Sequence, residues 1–390
     1  MPKAFSPHRV LWLVFFASLV LGQFQRLSLP GLPSVYFHEI ILALLNLSVL
    51  LDRRYRPTYL AKIRSSKLWW VLCATLGLSL AVNWDVLGGL VVPAGFYLIR
   101  FALYVSLIPV TVSLQSDPFI KRYTPFILPG VLAGLAIGGV AQYLIYPDAR
   151  ALYWLGWDKH LYRSIGTIFD PNFLGLLMVM GIFLTPKLPA KWQWWYLSLL
   201  GLCLLLTYSR SSYLALLAGG LVLAIKKHQI KLFLLGIAAF ASMLLVLPNR
   251  GGEGNRLDRV YSILNRQDSI KQALTFYRSH PIFGIGFNAY GLTSAKPNMY
   301  SLIPRRTSSP DNSYLLILST AGLVGFAAFG LALKHLWRVS QSDAFTLALL
   351  SAVLVHALFN NSLFYPWVMV SLAVIMGTKI AKGKTSPKRF

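Results

Sequence analysis

Nine Lys/Arg but only four carboxylates stand between Leu247 and Asn312, in the one long polar stretch of an otherwise apolar chain. Cations in such excess suit an anion, and guanidinium groups suit a phosphate best, being bidentate, permanently charged and weakly hydrated. Arg256, Arg259, Arg266, Lys271 and Arg278 run through a helical pattern. Its apolar residues, Val260, Ile263 and Leu264, then Ile270, Ala273, Leu274 and Tyr277, keep to one face of each of two successive segments. Asp268 or Ser269 is placed to cap the second segment, and His280-Pro281 to end it. A cationic amphipathic helix of this kind either lies on anionic lipid or lines a site, and the pattern alone does not choose. Arg305 and Arg306 follow, and Asp311 stands immediately before the helical run from Asn312 through Tyr314, where a carboxylate is favoured for capping alone.

Two shorter polar breaks carry further candidates. In Arg163-Ser-Ile-Gly-Thr-Ile-Phe-Asp-Pro-Asn172, Pro171 stops one helix and Asn172 is placed to cap the next. The segment is either a plain re-entry turn or, with Arg163 beside free backbone N–H groups, a phosphate holder. Thr207-Tyr-Ser-Arg210-Ser-Ser-Tyr213 puts a cation at a tight turn between apolar runs. An Arg pulled to mid-bilayer costs about 2.5–3.5 kcal/mol, so Arg210 either snorkels to the interface or faces a polar cavity; its seryl neighbours favour the cavity. Phe283-Gly-Ile-Gly-Phe287 lacks the strand and helix of a dinucleotide fingerprint and reads as a close-packed turn. Few outer carboxylates and no His or Cys cluster give no expected metal site, and Cys73 and Cys203 sit in apolar runs as packing residues.

These residues must be positioned by membrane helices. The chain is 56% hydrophobic and 13% charged, beyond what a soluble core of this length needs. Apolar stretches at 10–22, 34–51, 68–85, 95–114, 124–145, 172–185, 195–208, 211–226, 231–247, 312–333, 344–361 and 365–381 predict about twelve transmembrane helices. The fold class is therefore an all-α polytopic bundle, one membrane domain over 1–390 with a large, partly helical external insertion at 248–311. With both termini on one side, the short loops there hold 22 Lys/Arg against 5 opposite, which makes the termini cytoplasmic. That distribution accounts for the net charge of +25 without a nucleic-acid partner. The first apolar run lacks a small-residue cleavage site after it and reads as a retained span. His38-Glu39, Asp85, Arg100 and His356 are ionisable groups within or at the edge of spans, and such groups face a bundle interior or pair with one another.

Several motifs carry a resemblance: Gly166-Thr-Ile-Phe-Asp-Pro-Asn172, Tyr208-Ser-Arg-Ser-Ser212, Arg266, His280-Pro-Ile-Phe-Gly-Ile-Gly286, Asp311-Asn-Ser-Tyr-Leu315 running into Ala321-Gly-Leu-Val-Gly325, and Ala357-Leu-Phe-Asn-Asn-Ser362. From about Arg163 to Gly377 the chain resembles the O-antigen ligase and O-antigen polymerase superfamily. The resemblance implies a GT-C-like, metal-independent inverting glycosyltransferase without cofactor, multi-pass in the bacterial cytoplasmic membrane, with its active site on the periplasmic face. It implies an undecaprenyl-diphosphate-linked glycan as donor, and a glycan or lipid A core as acceptor; in some branches the acceptor is a protein. Arg210 and Arg266 match the two arginines that engage the diphosphate. Asp311 stands where ligases place a His as base. Around them Arg163, Asn172, Arg259, His280, Arg305, Arg306, Asn312 and Tyr314 are the expected substrate-binding residues.

The Asp is a departure. A carboxylate with a pKa near 3.9 is a poorer base at neutral pH than an imidazole near 6.5, and nearby arginines are expected to lower it further. Either Asp311 orients the acceptor, or another residue such as His280 takes part, and the departure favours a polymerase or divergent member over a lipid A core ligase. A small-anion transporter is the alternative from another class, disfavoured because no inverted repeat is visible.

Overall fold

A computed structural model describes residues 6–28, 33–247, 261–293 and 309–383. Arg256, Arg259, Arg305 and Arg306 lie outside these described residues, as does most of the insertion's polar start. Within them the chain is almost entirely helical. In order, the first helices are α1 (Pro7–Leu19), α2 (Phe37–Leu51), α3 (Arg56–Ser65), α4 (Lys67–Val82), α5 (Trp84–Leu87), α6 (Val91–Leu114), α7 (Pro118–Ile145) and α8 (Pro171–Leu184). Then follow α9 (Ala190–Leu206), α10 (Arg210–Lys227), α11 (Ile230–Val246), α12 (Tyr261–Ser279), α13 (Tyr290–Thr293), α14 (Ser313–Ser340), α15 (Ala344–His356) and α16 (Pro366–Gly383). A two-residue antiparallel ribbon, Arg26–Leu27 with Val35–Tyr36, joins α1 to α2.

Every apolar stretch coincides with a helix; the ends depart most at α14, which runs on to Ser340, and α7, which starts at Pro118. Three helices, Trp84–Leu114, Pro118–Ile145 and Ser313–Ser340, are long and apolar enough to cross a membrane alone, and α3 with α4, bent by 64°, form a fourth candidate. Five others are apolar but have only 10–17 residues. Hydropathy missed α3 because it carries Arg56, Lys62 and Arg64 and reads as a cytoplasmic loop. In the insertion, α12 is one continuous helix from Tyr261 to Ser279. The expected break at Asp268 is not made, although His280-Pro281 ends the helix as its sequence requires.

Local chemistry sets the helix starts. Asp-Pro pairs open α7 and α8: the carboxylates of Asp117 and Asp170 accept from the first free amides, and the following Pro needs no amide partner at N1. Packing then follows small residues. A Cβ on Gly219 would run into Phe183 and the Ala348 carbonyl, and one on Gly175 into Ser212, so α8, α10 and α15 approach backbone to backbone. By contrast α11 buries none of its residues, leaving Leu232, Leu234, Leu235, Leu245 and Val246 outward, as expected of a helix whose solvent is lipid.

Of the ionisable groups of the first spans, His38, Glu39 and Arg100 are drawn together through Tyr104, while Asp85 is exposed in α5. Arg100 Nε lies 2.6 Å from Glu39 Oε1, the Tyr104 hydroxyl donates to the same oxygen at 2.8 Å, and His38 Nε2 meets that hydroxyl at 2.8 Å. Removing one partner strands the other charge. Arg100→Leu is expected to lower stability by about 3–5 kcal/mol, seen as a lower unfolding temperature in detergent, with Glu39→Gln restoring part of the loss when added.

The long helix α14 is broken where the insertion meets it. Gly322 in α14 adopts φ 64°, ψ −165°, and the chain from Pro281 to Gly286 fills the break. Ile285 and Gly286 amides donate to the Ser319 and Thr320 carbonyls (3.1 and 3.0 Å), while Leu323 and Val324 amides donate to Pro281 and Ile282 (2.8 and 3.2 Å). These four bonds re-pair backbone groups that the kink takes out of the helix ladder. From α4, Ser79 and Asn83 add bonds to Thr320 and Gly284 at 2.7 and 3.0 Å. The Gly-x-Gly is indeed a close-packed turn: a Cβ on Gly284 would overlap the backbone at Thr320.

Candidate functional site

The starts of α8, α10 and α14 meet. Ser209, the N-cap of α10, donates to Asn172 Oδ1 at 2.9 Å, and Ser212 donates to the Asn172 carbonyl at 3.0 Å. Asn360 Nδ2 donates to Ser211 at 2.9 Å, and its carbonyl accepts from Ser313 of α14 at 3.2 Å. Three helix starts at one place add three partial positive charges. Arg210 occupies the first turn of α10. Arg266, on α12, comes close enough that its pKa is lowered first by burial and also by the charge of Arg210, while Asp311 and Asp170 act to raise it. Two arginines far apart in sequence therefore share one electrostatic neighbourhood with two carboxylates.

The caps differ from those expected. Asp170, not Asn172, caps α8, accepting from Asn172 and Phe173 amides at 2.7 and 3.1 Å. That frees the Asn172 side chain to tie α8 to α10. At α14 the cap is Asn312, whose Oδ1 accepts from Tyr314 and Leu315 amides at 2.9 and 3.0 Å. Asp311 is thus released from capping. Protein surrounding it raises its pKa, outweighing the lowering by Arg266, with Asp158 also raising it. The expectation that arginines would depress this carboxylate is overturned because desolvation is the larger effect. Burial likewise raises Asp170, to about 6, against its two amide bonds and Arg163.

Arg163 holds the turn and is only 5% exposed. Its Nε donates to the Thr207 carbonyl at 2.8 Å and its Nη2 contacts the Tyr208 carbonyl at 3.5 Å. A cation on the last carbonyls beyond α9 stabilises that helix end and fixes the bend that delivers Arg210. Tyr314 is anchored too, its hydroxyl donating to the Leu354 carbonyl at 2.9 Å. His280 is not brought in. It lies exposed just past the end of α12 with Nδ1 2.9 Å from Ser279, fourteen residues beyond Arg266, or about 21 Å along the helix axis. Asp158, which acts on both Asp170 and Asp311, was not anticipated, since nothing in its loop marks it. Sequence placed His356 in the bundle interior and took the serines around Arg210 as signs of a polar cavity, but nothing in the spacing brought the two together. Among the described residues no three His, Cys, Asp or Glu side chains are grouped to hold a metal ion.

Residues 195–330 of the chain match the family described as O-Antigen ligase. The match runs from within α9 into α14, taking in Arg210, Arg266, Asp311, Asn312 and Tyr314, and supports the O-antigen ligase and polymerase superfamily that the motifs resemble. With the apolar helices it supports a multi-pass protein of the bacterial inner membrane and an O-antigen ligase or polymerase type of function, with glycan and lipid-linked substrates in general. No curated protein matches the chain.

Proposed function

We propose that this protein is an inverting glycosyltransferase that takes an undecaprenyl-diphosphate-linked glycan as donor and elongates or transfers surface polysaccharide at the outer face of the cytoplasmic membrane. The observation that carries this reading is the gathering of Arg210 and Arg266 over three helix starts. The acceptor hydroxyl oxygen attacks the anomeric carbon from the side opposite the diphosphate, and the glycosidic carbon–oxygen bond breaks as the new one forms. The diphosphate leaves with the electron pair. Charge grows on its bridging oxygen in the transition state, where fixed guanidinium groups and helix-start amides stabilise it most. The hydroxyl proton passes to Asp311, whose burial-raised pKa moves it towards the working range of a general base. No metal is required for any step. The 248–311 segment acts as the outer-face insertion that supplies Arg266.

Asp311 in place of the family's His favours chain elongation over transfer to lipid A core. The test is incubation of the purified protein with undecaprenyl-diphosphate-linked glycan extracted from the source cells, with and without lipid A core and with EDTA. A ladder of longer lipid-linked glycans that persists in EDTA is the expected result. Single transfer to the core instead identifies a ligase, transfer to a protein an oligosaccharyltransferase, and anion uptake into liposomes without glycan transfer a transporter. Strict dependence on Mg²⁺ or Mn²⁺ overturns the arginine mechanism.

A further inference from the structure

We propose that His356 is a positioning residue that locks the first turn of α10 in place, and so sets the orientation of Arg210. His356 is the last residue of α15 and is fully buried. Its Nε2 lies 3.1 Å from Ser211 Oγ and 3.4 Å from Ser212 Oγ, and Ser212 in turn donates to the Asn172 carbonyl at the start of α8. Nδ1 lies 2.6 Å from Ser362 Oγ. Asn360 closes the network, its Nδ2 3.4 Å from Nε2 and 2.9 Å from Ser211. One imidazole therefore joins the starts of α8 and α10 to the turn after α15, and through Asn360 to Ser313 of α14.

Adhesion of these helices does not require it, because Gly219 already lets α10 lie directly against α15. What apolar packing leaves open is the rotation and register of the first turn, and a satisfied network of short polar side chains fixes one arrangement. Arg210 sits between Ser209 and Ser211, both members of that network. A small rotation there carries the guanidinium off the diphosphate, and a displacement of about 1 Å costs roughly a hundredfold in rate.

This inference rests on the reading of Arg210 as a diphosphate ligand, and the experiment separates the two. Transfer from extracted undecaprenyl-diphosphate-linked glycan is measured as kcat and KM per folded molecule for His356→Leu, His356→Gln and Ser211→Ala, each with Arg210 intact and with Arg210→Lys. His356→Leu is expected to lower kcat roughly a hundredfold while KM and unfolding temperature change little. His356→Gln, which keeps an N–H near Nε2, is expected to recover about tenfold of that loss. In the Arg210→Lys background the further loss shrinks to within about threefold, because residues acting through one another are not additive. Equal losses in both backgrounds, or unchanged kcat per folded molecule, overturn the inference. Should His356→Leu not fold, the same comparison with His356→Gln and Ser211→Ala decides it. Full turnover by Arg210→Ala would sink the diphosphate reading itself, whereas an inactive Arg210→Ala beside a fully active His356→Leu sinks only the role of His356.

Discussion

Arg210→Ala and Arg266→Ala are each expected to lower glycan transfer by about a hundred- to a thousandfold, the usual cost of removing one preorganised stabiliser of transition-state charge. Both guanidinium groups act on the same developing charge, so the double variant should fall little further than the worse single one. Arg→Lys at either position keeps the charge but loses the bidentate fork, and an intermediate loss is expected. The measurement is turnover of lipid-linked glycan per folded molecule, alongside unfolding temperature. Removing Arg266 relieves repulsion from Arg210 and gives up attraction to Asp311 and Asp170, so these opposing changes are expected to leave the fold intact. Wild-type turnover in both variants would show that the two charges share a neighbourhood without sharing a substrate.

The second large effect concerns stability. Gly322→Ala puts a Cβ into the Ile282 carbonyl and at the same time demands φ 64°, ψ −165° of a residue that has a Cβ. That backbone region is essentially confined to glycine and costs about 1–3 kcal/mol before the clash is counted, so a total loss of about 3 kcal/mol or more is expected. The loss should be accompanied by detachment of the 281–286 segment from α14, seen as faster hydrogen exchange at the Ile285, Gly286, Leu323 and Val324 amides. Gly330→Ala, on the same helix with open space where its Cβ would stand, is the control and should leave stability unchanged or slightly raised. If both variants unfold at the wild-type temperature, the interlocked kink does not hold the insertion to the bundle.

Much of the fold was legible because membrane helices are written in local composition. A run of apolar residues has no other way to satisfy its backbone in hydrocarbon, so each of the twelve apolar runs located a helix from hydropathy alone. The errors fell where that rule does not apply. The basic α3 has no hydropathy signal of its own, and the single helix α12 was divided because Asp268 is a good cap in principle but takes no cap position here. At the helix starts the residue types were right but their roles were exchanged: Asp170 took the cap expected of Asn172, and Asn312 the cap expected of Asp311. One residue of register separates those alternatives, and both members of each pair have the right chemistry.

By itself the sequence determined that the chain is an apolar helix bundle, that its cations concentrate in one polar insertion and at two turns, and that their types suit a diphosphate. Each is a property of near neighbours along the chain. Which cations meet was decided only by tertiary structure, since helices that pack through small residues choose their partners and rotations by contacts distant in sequence. The bend pinned by Arg163 turns Arg210 towards Arg266, the length of α12 carries His280 away, and the end of α15 places His356 beneath Ser211. The raised pKa of Asp311 belongs to the same level, because desolvation depends on how much protein surrounds a carboxylate, and no spacing of residues encodes that.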